Sequence, residues 1–173
     1  YAFSMKTPSK LYSSGYGALD DFEVTCDEPG GSTVDPGGPD KVVCELPYSQ
    51  SFDNENKDYD GTTYVPKGWL ATGTSTFTTA NTNDLKAADG SYYLIAPESR
   101  VQRDDRIYTP YFHMQAGVEY TASFYLYMPG NLDHGHASDF SFTVGDEQDS
   151  EFHTPLLTLP RYTNEAWTKH TVK

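Results

Sequence analysis

Residues 119–128, EYTASFYLYM, constrain the fold more than any other stretch of the chain. Tyr120, Ala122, Phe124, Leu126 and Met128 fall on one face of an extended backbone, and Glu119, Thr121, Ser123, Tyr125 and Tyr127 on the other, because strand side chains alternate. One face is built for a core. Aromatic and β-branched content favours strand over helix, and Pro129-Gly130 closes the run with a turn signal. Just upstream, residues 107–114 (IYTPYFHM) predict a second strand joined through Gln115-Ala116-Gly117, so that the two form the central ladder of an antiparallel sheet.

Strand signals recur along the rest of the chain. Residues 1–5 (YAFSM), 45–52 (ELPYSQSF), 92–96 (YYLIA), 139–144 (DFSFTV), 152–159 and 167–172 are candidates, and another strand begins at Gly68-Trp69-Leu70. Residues 72–83, mostly Thr, Ser and Asn, predict an exposed strand or a meandering loop. No 3.6-residue periodicity is sustained anywhere, so helices are expected to be few and short. The spacing predicts an all-β antiparallel sandwich, or jelly roll.

Residues 18–25 (ALDDFEVT) alternate imperfectly, with Leu19 and Asp21 on one side and Ala18, Asp20, Phe22 and Val24 on the other. Adjacent carboxylates Asp20 and Asp21 mean that one must point toward whichever face is buried. A carboxylate forced inward needs a partner, and a cation is a natural one.

Between Cys26 and Cys44 lie 17 residues holding four glycines, three prolines and four acidic residues, the composition of a solvated linker. These are the only two cysteines. No His or further Cys close in sequence completes a zinc site, so a disulfide closing the loop is the preferred reading, with two free thiols as the alternative. A bridge would stabilise by roughly 3 kcal/mol and imply an oxidising, extracytoplasmic setting. The linker divides the chain into residues 1–25, a linker at 26–44, and a domain at 45–173. The opening at Tyr1 carries no signal-like segment and reads as the middle of something longer.

With 25 acidic and 12 basic residues the formal net charge is −13. Such a field repels nucleic acid and anionic membrane and suits hard cations or neutral and basic partners. No apolar run approaches the roughly 20 residues that span a bilayer, so direct insertion is not expected.

From Leu46 onward the order of residues resembles the MAM-like, cleaved-adhesin jelly rolls of Bacteroidetes surface proteins, among them the gingipain adhesin domains. The pieces that carry the resemblance are LPYSQSFD from Leu46, PKGW from Pro66, DGSYYL from Asp89, RIYTPYFHMQAGVEYTASFYLYM from Arg106 and EAWTKHTV from Glu165. In that family an LDD pattern followed by an apolar residue lies on the last strand. Here LDDF stands once, at Leu19–Phe22, ahead of the linker. The departure implies that residues 1–25 are the closing strands of a preceding domain, or that they complete the sandwich of residues 45–173, within one molecule or by exchange with a neighbouring copy.

The resemblance implies a galactose-binding-like sandwich with a structural Ca²⁺ held between a carboxylate near the first strand and one on the last, which by position are Asp53 and Asp20 or Asp21. Backbone carbonyls near Gly90 suit the same ion, and ordinary solvated or capping carboxylates are the alternative. Glu55, Asp58 and Asp60 form a weaker acidic candidate whose spacing fails the EF-hand pattern. Asp133, His134, His136 and Asp139 could bind a transition metal, but Gly135 makes an exposed loop the simpler reading. No G-x-S-x-G, H-E-x-x-H or activated Cys is present, so no enzyme is expected. Trp69 and Trp167 could stack on a sugar or, from their places at strand starts, pack in the core. Tyr125 and Tyr127 are candidates for a contact surface, against the plainer reading of a tyrosine-covered sheet face. The resemblance implies secretion or surface attachment, with adhesion to host protein or glycan. A carbohydrate-binding accessory module of a secreted hydrolase and a structural repeat of a surface fibre are the rivals.

Overall fold

The structure is a computed structural model and describes residues 1–7, 17–26, 43–53, 57–59, 64–73, 77–80, 85–96, 105–129, 138–148 and 153–173. Among these there is no helix. The strands run β1 (Ala2–Thr7), β2 (Gly17–Cys26), β3 (Val43–Cys44), β4 (Tyr48–Gln50), β5 (Lys57–Tyr59), β6 (Tyr64–Pro66), β7 (Leu70–Thr72) and β8 (Thr78–Ala80). They continue with β9 (Tyr93–Ala96), β10 (Asp105–Tyr108), β11 (Tyr111–Phe112), β12 (Tyr120–Tyr127), β13 (Ser138–Gly145), β14 (Thr154–Tyr162) and β15 (Thr168–Val172).

Two antiparallel sheets pack face to face as a β-sandwich. The first has the order β14-β13-β1-β10-β7; the second has β15-β12-β2-β9-β8, with β4 also paired to β2. Two short pairs, β11 with β3 and β5 with β6, lie outside them. Both N-terminal strands are internal to a sheet. β1 is hydrogen-bonded between β10 and β13, and β2 lies between β12 on one side and β9 and β4 on the other. These pairings are made within one chain. Residues 27–42 of the expected linker lie outside the described residues.

The core follows from the alternation. Phe3 and Met5 of β1, Ile107 of β10 and Phe140 and Phe142 of β13 meet Leu19, Phe22 and Val24 of β2, Leu94 of β9 and Ala122, Phe124 and Leu126 of β12. Phe3 stacks on Phe142 with centroids 5.2 Å apart, and Phe124 lies 4.9 Å from Phe142. Offset and tilted aromatic pairs of this kind add to the burial of their large apolar surfaces.

Residues 107–114 do not form a hairpin with residues 119–128. β10 and β12 belong to opposite sheets. Beyond Tyr108 the chain turns to the N-terminal strand: Phe3 N–H donates to Thr109 Oγ1, Thr109 N–H donates to Phe3 O, and Phe112 N–H donates to Tyr1 O at 2.7 Å. Pro110 has no N–H to continue a ladder, so the segment divides at that point.

The imperfect alternation at residues 18–25 also has a structural cause. Against β12, Glu23 is opposite Ser123 but Asp20 is opposite Tyr125, so β2 carries one extra residue there. Asp21 takes φ 45°, a left-handed conformation in which Asp is more often found than most residues. This bulge changes the parity, so Leu19, Phe22 and Val24 all enter the core while Ala18 and Asp20 face the other side.

Candidate functional site

The outer face of the second sheet is partly roofed by residues 85–92. Leu85 lies over Ala18 and Tyr93 in a small apolar cluster, with Ala80, Ala87, Ile95, Tyr127 and Trp167 packed against it. The roof is fastened at three points.

Asp20 supplies the first. The bulge turns its side chain to the outer face, where it is fully buried. Its Oδ2 accepts the N–H of Ala88 at 2.7 Å and of Asp89 at 3.3 Å, and its Oδ1 accepts the N–H of Asp21 at 2.9 Å. Burial pushes its pKa up to about 7, outweighing the amide hydrogen bonds that favour the carboxylate.

Asp53 supplies the second. It follows Phe52, whose φ of 60° turns the chain after β4, and its Oδ1 accepts the N–H groups of Ser91 and Tyr92, both at 2.8 Å. Gly90 has φ +65°, and a Cβ at that position would overlap the Asp53 carboxylate. Here glycine is required twice, by conformation and by close approach. The third fastening is Trp167, whose Nε1–H donates to Lys86 O at 2.8 Å while its ring lies 5.9 Å from Tyr93 and 5.6 Å from Tyr127.

Asp21 belongs to the same corner. Burial raises its pKa, and the negative charges of Asp89, Asp53 and Glu23 push the same way, against Lys169. Asp89 was not among the candidate ligands named from sequence, where it only opened the DGSYYL piece. The backbone groups of residues 88, 89, 91 and 92 directed at Asp20 and Asp53 are N–H donors.

At this corner the negative charges of Asp89 and Asp53 act on the Asp21 carboxylate. Among the described residues, however, no three His, Cys, Asp or Glu side chains are gathered as a metal-ligand group. Buried Asp20 and half-buried Asp53 already have amide donors that do part of a cation's work.

Tyr125 is half-buried beside this corner. It lies opposite Asp20 on one side and Lys169 on the other, and the Lys169 ammonium is 5.7 Å from the centre of its ring. Tyr127 belongs instead to the apolar cluster under the roof. Trp69 is a core residue: its exposure is 6%, its ring packs edge-on against Phe22 and Phe52, and its Nε1–H donates to the Tyr48 hydroxyl at 2.9 Å. No face of that indole is open to a sugar.

Cys26 and Cys44 are not joined by a disulfide. Cys26 closes β2 opposite Tyr120, whereas Cys44 lies in β3 opposite Phe112 and packs against the core, where burial raises its thiol pKa. Asp139 Oδ1 accepts the N–H of Arg161 at 2.8 Å. Asp133, His134 and His136 lie outside the described residues, as do Glu55 and Asp60; Asp58 is on β5.

Compared with known proteins, the chain matches no family model, no curated protein and no solved structure.

Proposed function

We propose that this chain is a non-catalytic adhesion or binding domain of a secreted or cell-surface protein, a β-sandwich that presents the Tyr125 side of its second sheet to a host protein or glycan. The observation that carries this reading is the clasp. Two aspartates and a tryptophan hold residues 85–92 across the sheet directly beside Tyr125. A rigid roof next to an accessible aromatic ring is a contact surface with little ordering entropy left to lose. The non-catalytic part rests on Asp20. Its pKa of about 7 is of the kind a general acid has, but it is fully buried and both its oxygens accept backbone N–H groups, so it does not reach a substrate.

Calcium is part of the proposal. Asp21 and Asp53 would hold Ca²⁺ with Asp89 beside them and Asp20 behind, and the ion would neutralise the repulsion at this corner. Melting with Ca²⁺ and with a chelator tests it: a bound ion at a hundred times its dissociation constant stabilises by about 2.7 kcal/mol. An unchanged melting temperature removes calcium from the account.

For the binding surface, arrays of glycans and of extracellular-matrix proteins probed with the wild type and with Tyr125→Ala give the decision. Binding lost in the variant supports the reading, and a defined sugar preference would assign the domain to carbohydrate recognition. Binding that is absent, or indifferent to Tyr125, overturns it.

A further inference from the structure

Beside Tyr125 the outer face of the second sheet is a row of short polar side chains. Ser123 is paired with Thr171 of β15 on one side and with Glu23 of β2 on the other, and Glu23 is paired with Ser49 of β4. Strand alternation puts Ser123 on the same face as Tyr125 and opposite to Phe124, so Thr171, Ser123, Glu23 and Ser49 form one rung next to the Tyr125 ring. Thr171, Glu23 and Ser49 are exposed, and Ser123 forms the floor between them at 6% exposure. The rung crosses four strands, about 14 Å at the usual strand spacing. On its other side the ring is bounded by Tyr127 and Trp167 beneath the roof.

Charges of opposite sign flank the ring. Lys169 is opposite Tyr125 with its ammonium 5.7 Å from the ring centre, beyond the roughly 4 Å of van der Waals contact, so the ring face is not sealed. Glu23 is on the far flank, across Ser123. Both act on the Asp21 carboxyl in opposite senses, Lys169 lowering its pKa and Glu23 raising it. An ammonium only donates hydrogen bonds and a carboxylate only accepts them, whereas a hydroxyl does both. A ligand with adjacent hydroxyls and a flat apolar face therefore uses both flanks and the ring. An anionic ligand would meet Glu23 and Asp21 in a chain of formal charge −13, and a cationic one would have to displace the Lys169 ammonium from the ring. A protein partner fits less well, because the centre of such an interface is apolar and here a single aromatic ring stands among hydroxyls.

We propose that this rung binds a neutral glycan: a pyranose ring lies against Tyr125, the Lys169 ammonium donates to one of its hydroxyls and the Glu23 carboxylate accepts from another. The inference rests on the reading of Tyr125 as a contact surface and narrows its partner to uncharged sugar.

The test titrates the full chain with neutral hexasaccharides of glucose, galactose and mannose, each beside its uronic-acid and 2-amino counterpart, by calorimetry and by backbone amide shifts. At least one neutral probe is expected to bind, to move the amides of residues 121–125 and 169–171, and to exceed its charged counterparts in affinity by roughly fivefold or more. Tyr125→Ala is expected to weaken it roughly tenfold and Tyr125→Phe to retain it. Lys169→Met and Glu23→Ala, both at exposed positions, are each expected to weaken it roughly five- to tenfold, the worth of one exposed hydrogen bond. Charged counterparts that bind as tightly as the neutral probe overturn the proposal, as does binding indifferent to Lys169→Met and Glu23→Ala. If no neutral probe binds while a matrix protein binds through Tyr125, the neutral-glycan proposal falls and the Tyr125 surface stands. If a neutral probe binds and Tyr125→Ala leaves its affinity unchanged, both fall.

Discussion

The inner and outer faces of the second sheet are held by different physics, although the same strands build both. On the inner face, Leu19, Phe22, Leu94, Phe124 and Leu126 meet the other sheet in a continuous apolar core. The titratable groups at its margin respond to burial, which lowers the pKa of His170 and raises those of Cys44 and Tyr48. On the outer face the apolar cluster is small, with Ala18, Leu85 and Tyr93 as its buried members, and its cover is fastened by carboxylate-to-amide hydrogen bonds. The inner face gains from area and close packing, and removal of a side chain leaves a cavity. The outer face depends on a few polar contacts whose strength changes with protonation. One sheet therefore carries a packed apolar core on one side and a roof held by titratable contacts on the other.

The largest effect expected is on the inner side. Phe124→Ala removes a ring that packs against Phe140 and Phe142 and should cost about 3–5 kcal/mol in denaturant unfolding. A cost below about 1 kcal/mol would mean that this face is loosely packed and that the contrast does not hold.

Next comes the pH response of the outer side. The Asp20 carboxyl has a pKa of about 7 in the folded chain against 3.8 as its ordinary value, so over that interval the folded state binds the proton more tightly than the unfolded state does. Stability from this group is therefore fully present below pH 4 and is lost as pH rises through 7, by roughly 2–4 kcal/mol. Asp20→Asn should flatten that slope. It should also lower stability by about 1–2 kcal/mol at low pH, because an amide nitrogen cannot accept the backbone N–H groups that the second oxygen accepts. A slope that survives the substitution assigns the titration elsewhere and breaks the comparison at its central point.

Gly90→Ala probes the second fastening. The added methyl meets the Asp53 carboxylate at a backbone φ that disfavours any side chain, so the turn must move. The expected cost is about 1–3 kcal/mol, with faster amide exchange at Ser91 and Tyr92 and little change in the core strands. Faster exchange throughout β12 would instead show that the roof and the core open as one unit.

The alternation at residues 119–128 carried the sandwich, because buried and exposed faces of a strand are written in a period of two. Phe124 and Leu126 are where that pattern puts them. The pairing of IYTPYFHM was not readable in the same way. Side-chain alternation says which way residues point but not which strand is adjacent, and here the N-terminal strand competes for the hydrogen bonds of residues 109–112. LDDF announced a buried carboxylate, which is Asp20, although it is buried on the outer face under residues 88 and 89 and not between the sheets. It did not announce the bulge, since a left-handed Asp21 leaves no signature beyond a broken alternation. Nor could sequence show what Asp20 holds: Ala88 and Asp89 contribute main-chain N–H groups, which every residue but proline has, so the roof over Tyr93 was invisible in side-chain identities.

Trp167→Phe is the smallest change and separates the two faces most cleanly. Phenylalanine keeps an aromatic ring against Tyr93 and Tyr127 but loses the N–H that reaches Lys86 O, so the expected cost is about 1 kcal/mol. Asp20 and Asp53 still hold the far end of the roof, and the loss should therefore show as faster exchange confined to residues 85–87, with unfolding of the core unchanged in cooperativity. Combined with Phe124→Ala it should add to the larger cost, because the two rings lie on opposite faces and share no partner. If the pair instead couples by more than about 0.5 kcal/mol, force is transmitted through β12 from one face to the other, and the roof is then a working part of the core.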